Sequence, residues 1–104
     1  MRKIIATLAI ASLLAALAAV AASAATPSVS WHVGTNKTVK IKKGGSVKWV
    51  FSGDAPHNVK GPGFKSPLRT KRGYTFAHRF NSRGSFKIVC QVHPGRMKTI
   101  VKVL

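Results

Sequence analysis

Short runs in which apolar side chains alternate with lysine or arginine leave this chain few folds other than a sheet. Val39 and Ile41 alternate with Lys40 and Lys42, and Lys43-Gly44-Gly45-Ser46 then supplies a turn. Val47, Trp49 and Phe51 repeat the pattern, less cleanly where Val50 interrupts it. Tyr74, Phe76, His78 and Phe80 share one face; after a turn at Asn81-Ser82-Arg83-Gly84, so do Phe86, Ile88 and Cys90. An early run over residues 29–33 and a β-rich ending over 99–104 complete the set. A period of two sends successive side chains to opposite faces, so each apolar face needs a second sheet to cover it. The expectation is an all-β, two-sheet Greek-key sandwich with its cations pointing outward, and Trp49, Phe51, Phe76, Phe80 and Phe86 in its core. Residues 52–73, with Pro56, Pro62 and Pro67, read as one long irregular loop, and loops of that length are commonly functional.

The first 25 residues follow a different rule. Arg2 and Lys3 precede an uncharged, Ala- and Leu-rich stretch that ends in Ala22-Ser23-Ala24, with Pro27 just beyond. A positive start, an apolar middle and a small-residue end predict a secretory signal helix over residues 1–24, cleaved after Ala24 or Ala25. The competing reading is an uncleaved anchor, since the run is just long enough to span a bilayer. The expected product is a single exported domain, residues 25–104. At 80 residues it is small enough to gain from a reinforcing metal.

Four side chains stand out by type and spacing: His57 in the long loop, then Cys90, His93 and Met97 within Cys90-Gln91-Val92-His93-Pro94-Gly95-Arg96-Met97. Cys90 ends a strand, and the short loop after it can swing an imidazole and a thioether toward the same point. Two His, one Cys and one weak Met form the ligand set of a blue-copper site, where nitrogen suits Cu(II) and sulfur suits Cu(I). Zinc competes for Cys and His, although Met serves it poorly. His32 and His78 lie in strand-like runs with no ligand nearby in sequence and are assigned structural or surface roles.

These segments resemble a known family. Gly44-Gly45-Ser46-Val47-Lys48-Trp49 followed by Asp54-Ala55-Pro56-His57-Asn58-Val59 is similar to the first-ligand region of cupredoxins, the plastocyanin and azurin family. The stretch from Tyr74 through Phe86 to Met97 is similar to that family's ligand loop. The resemblance implies a cupredoxin-like sandwich holding one type 1 copper, with His57, Cys90 and His93 as equatorial ligands and Met97 as the axial one. It further implies that Asn58 ties the two ligand loops together, and that electrons leave through the His93 edge. The four-position gap from His93 to Met97 is the azurin spacing.

Charge adds a partner. The chain holds 18 Lys+Arg and one acid, Asp54, for a net charge of +17; without residues 1–24 it is +15. Such a field speeds encounter with an acidic redox protein, with Pro94 and Gly95 as a small apolar contact and Arg96, Lys60 and Lys65 orienting the partner. The expected product is a monomeric carrier of single electrons that binds no nucleic acid and has peripheral contact with an anionic membrane surface at most. The basic residues are expected to be spread around the whole domain. Two other readings stand beside this one: copper storage or delivery with the same ligands, and a cationic binder of membrane or nucleic acid. Enzymatic activity is not expected, because one acid allows no carboxylate pair and a fully ligated copper offers substrate no open position.

Overall fold

The computed structural model describes residues 26–104. The expected signal helix and the expected boundary at residues 24 and 25 lie outside the described residues. Eight strands form two sheets: β1 (Ser28–Trp31), β2 (Asn36–Ile41), β3 (Ser46–Phe51), β4 (Lys60–Gly61), β5 (Phe64–Lys65), β6 (Thr75–Arg79), β7 (Gly84–Val89) and β8 (Lys98–Val103). One sheet has the order β1-β3-β6 and the other β2-β8-β7-β4-β5. β1 runs parallel to β3, and β2 runs parallel to β8. The described residues contain no helix.

Alternation in the sequence becomes alternation across each sheet. Val29, Trp31, Val47, Trp49 and Phe51 face inward from the smaller sheet and are buried. Val39, Ile41, Ile88, Val101 and Val103 meet them from the larger one. Of the aromatic residues expected inside, Trp49, Phe51 and Phe80 are buried; Phe76 and Phe86 are half-buried and pack against the cluster from its margin. The turn between β2 and β3 depends on Gly44 at a φ of 88°, a left-handed conformation that a side chain would strain.

The long loop is partly ordered into strands. β4 and β5 pair through Lys60↔Lys65 and Gly61↔Phe64, and β4 joins the edge of β7 through Lys60↔Val89. Only two residues long each, they are too short to show a period. Gly61 permits the packing: a Cβ there would collide with the Phe64 ring, so only glycine lets that ring lie over the strand.

Both tryptophans satisfy their N–H groups inside the core. Trp31 Nε1 donates to the Asn58 carbonyl at 2.9 Å, anchoring the loop after β3. Trp49 Nε1 donates across the sandwich to Thr99 Oγ1 at 3.2 Å, joining β3 to β8. Replacing Thr99 with Val would keep the shape and strand the indole N–H, at a cost of about 1–3 kcal/mol. A urea titration of Thr99→Val should show a lower midpoint with an unchanged slope, and an unchanged midpoint would show that the cross-sheet bond contributes nothing.

Candidate metal centre

His57, Cys90 and His93 converge at one end of the sandwich. Their donor atoms all lie within 4.8 Å of one another. Cys90 Sγ is 4.0 Å from His57 Nδ1 and 3.8 Å from His93 Nδ1. Two metal bonds of about 2.0 and 2.3 Å meeting near a trigonal angle span about 3.7 Å, so one cation fits between the sulfur and each nitrogen. The three residues thus present a matched donor set, aimed inward by the same ring nitrogen on both histidines. The two imidazoles meet edge to face, with centroids 5.1 Å apart.

Each donor is held by a different device. Cys90 directly follows β7 and is fully buried. His57 is pinned by a two-way backbone bridge, in which its N–H donates to the Arg69 carbonyl and Arg69 N–H donates back, both at 3.0 Å. The Phe51 ring stands edge-on to it, with centroids 6.0 Å apart. His93 sits in a tight turn closed by Arg96 N–H to the His93 carbonyl at 3.1 Å, and Gly34 N–H to the Arg96 carbonyl ties that turn to the β1–β2 loop at 2.9 Å. His93 is half-buried, the more open of the two histidines. Met97 is fully buried at the end of the same loop, immediately before β8.

Asn58 connects the two loops. Its Nδ2 donates to Gln91 Oε1, and its Oδ1 accepts from Gln91 N–H, each at 2.9 Å. Because Asn58 follows His57 and Gln91 follows Cys90, this paired bond sets the distance between imidazole and thiol. Ser66 adds a second clamp by accepting from Val59 N–H at 2.8 Å.

Electrostatics favour the neutral ring of His57, with a lone pair free to bind a cation. Burial holds it below the ordinary histidine value, and positive charge on His93 and His32 pushes it the same way, against a smaller opposing effect of a backbone bond at Pro56. A neutral imidazole at pH 7 is the form that binds a cation. Its other nitrogen, Nε2, is buried with no hydrogen-bond partner among the described residues. A Cβ at Gly53 would come within 3.1 Å of that atom, so the glycine leaves the ring its room.

Other sequence candidates fall elsewhere. His32 is exposed, with Nδ1 2.9 Å from the Val33 carbonyl, and His78 stacks on Phe64 with centroids 3.7 Å apart. Pro94, Gly95 and Arg96 are exposed in the loop that carries His93. Lys60 and Lys65 are not in that loop; they stand opposite each other on β4 and β5. Sequence reasoning missed Val33, Leu68 and Val92, exposed apolar residues in three loops at the metal end. Their signal, an isolated apolar residue within a loop, is common to many surfaces.

Solved structures share this architecture. A purple cupredoxin from Nitrosopumilus maritimus is 31% identical, aligned over 64% of this chain and 77% of its own, with a TM-score of 0.57. The chain belongs to the cupredoxin family. A Cu(I) form of an amicyanin variant is 26% identical over 81% of this cupredoxin and 88% of its own chain, with a TM-score of 0.64. A second amicyanin variant, in its reduced state, reaches 0.65 at 25% identity with the same coverage. No family model and no curated relative matches the sequence.

Asn58→Ala should remove both bonds to Gln91 and leave its buried-side N–H without a partner. Loss of such an outer hydrogen bond weakens metal affinity about 10- to 100-fold. Competition with a chelator of known affinity would measure it, and an unchanged affinity would show that the loops hold their spacing without Asn58.

Proposed function

We propose that this cupredoxin is an exported type 1 copper protein that carries single electrons between redox partners. The observation that carries the reading is the convergence of one thiol and two imidazoles, each aimed by Nδ1 or Sγ, at one end of a rigid sandwich. His57, Cys90 and His93 would hold the ion as equatorial ligands, with Met97 as the weak axial one. Copper in such a set supplies a one-electron couple, because the mixed nitrogen and sulfur donors serve both of its oxidation states.

The protein's own contribution is to keep those donors still. Cys90 is fixed by β7, His57 by the Arg69 bridge and the Asn58–Gln91 pair, and His93 by the Arg96 turn. Donors that cannot move spend little energy on rearrangement when charge changes. Burial of Cys90 and His57 keeps water from two of the three donors, while half-buried His93 leaves one edge open for exchange with a partner.

That partner would meet the surface around His93. Val92, Pro94, Leu68 and Val33 present apolar area there, and Arg96 adds a charge suited to an acidic redox protein. Interfaces are enriched in arginine and apolar anchors, which this loop cluster supplies. The protein would act as a monomer and not as an enzyme, with its copper fully ligated.

Adding Cu(II) to the protein should produce an intense visible absorption that disappears on reduction and returns on oxidation. Cys90→Ser should abolish the colour while the circular dichroism of the strands persists. A colourless copper complex of the unmutated protein would exclude a type 1 site; a coloured complex that cannot be cycled would favour copper storage or delivery.

A further inference from the structure

Strand parity sorts the charge in a way that linear sequence conceals. The outward face of the five-stranded sheet carries Lys40 on β2, Lys98 and Lys102 on β8, Lys87 on β7, Lys60 on β4 and Lys65 on β5. Lys40 pairs with Lys102 and Lys60 with Lys65, each pair directly opposite across neighbouring strands. The outward face of the three-stranded sheet holds only Lys48 and Arg79 among serine, threonine, alanine and valine. The cations on the strands are therefore divided unevenly between the two sheet faces. Each strand contributes every second residue to one side, and the strand order gathers those residues on the larger sheet.

This arrangement works against folding, since like charges opposite one another destabilise a sheet. No acid offsets it: Asp54, the single acidic residue of the sequence, forms an exposed ion pair with Arg72 at 2.9 Å in another part of the molecule. Half-buried Val89 and Ile100 lie among the lysines. At the end nearest the metal loop, Lys87, Lys98 and Arg96 line a cleft of about 300 Å³ with Asn36 at its rim.

We propose that the lysine face of the five-stranded sheet docks on an anionic lipid surface. Charge complementarity restricts the occupant to a polyanion, and composition selects among polyanions. The face carries six lysines, no arginine and no aromatic residue, whereas protein interfaces are poor in lysine and rich in arginine and aromatics. Single-stranded nucleic acid is commonly held by aromatic stacking, which this face lacks. Lysine is a compact, hydrated point charge on a flexible stem, suited to a mobile layer of headgroups without fixed geometry. The five strands give a surface about 19 Å across, wide enough for several headgroups. The cleft beside Lys87 and Lys98 gives one of them room to enter. The inference does not depend on the metal, and it stands if the electron-transfer reading fails.

The test uses the full chain and lipid vesicles, either pure phosphatidylcholine or phosphatidylcholine mixed with phosphatidylglycerol. The readout is the ratio of partition onto anionic and neutral vesicles; the N-terminal segment, with Arg2 and Lys3, is common to all variants and cancels when they are compared. Two triple variants with equal charge loss are compared: Lys40→Gln, Lys87→Gln and Lys102→Gln on the lysine face, against Lys43→Gln, Lys48→Gln and Arg79→Gln away from it. Each lysine near an anionic surface is worth about a fivefold change, so the face variant should lower the ratio at least about tenfold and the control variant far less. High salt should abolish the difference. Circular dichroism confirms that both variants keep their strands. Equal losses in the two variants would overturn the proposal, because net charge alone would then explain the binding. So would a face variant that loses affinity for duplex DNA or an acidic protein while its vesicle partition is unchanged.

Discussion

The metal centre depends on a spacing that no single strand can set. Cys90 directly follows β7, an inner strand of the larger sheet, but His57 lies in a connection between β3 and β4 and could swing through many positions. The paired hydrogen bond from Asn58 to Gln91 removes that freedom by joining the residues that follow the two ligands. The Asn58 amide uses both of its ends, donating to the Gln91 side-chain carbonyl and accepting from the Gln91 backbone N–H, so both bonds must be made for the spacing to hold. Trp31 extends the lock into the core by donating to the Asn58 carbonyl. The centre is thus connected through one asparagine to the buried core.

Packing explains why that end is rigid enough to matter. Val29, Trp31, Val47 and Trp49 are wholly inaccessible to water, and the Trp49–Thr99 bond fastens the two sheets together across the middle of the core. Two parallel pairings, β1 with β3 and β2 with β8, bring the loops that follow β1 and precede β8 to the metal end. The Gly34–Arg96 hydrogen bond links those loops directly. A small domain with one fixed end suits a site that must not reorganise.

Much of this was legible in the sequence because it is periodic or chemically rare. Strands β2, β3, β6 and β7 are legible through alternation and β8 through its β-rich composition, and the cysteine and histidine of the last loop gain weight from Met97 and the upstream Pro56-His57-Asn58. The strand expected over 29–33 ends at Trp31, because residues 32–35 close a turn in which Thr35 N–H donates to the His32 carbonyl. Strands β4 and β5 were hidden for want of length. The uneven charge was hidden for a different reason. Alternation turns most strand lysines away from the core, but outward has two directions in a sandwich, and only strand order assigns them.

That asymmetry gives the molecule two surfaces of different chemistry. The loops around His93 combine Val92, Leu68 and Pro94 with Arg96 and Arg69, and they cap the ends of the strands. The lysines stand on the side of the larger sheet, where side chains project across the strand direction. A sheet face and a strand end lie roughly at right angles, and the two surfaces meet at Arg96, which lines the cleft beside Lys87 and Lys98. A domain held by its lysine face would keep the His93 edge turned along the supporting surface, not buried beneath it. Partners confined to the same surface would then approach that edge by diffusion in two dimensions, and charge on one side of the domain would assist encounters on another without entering the contact itself.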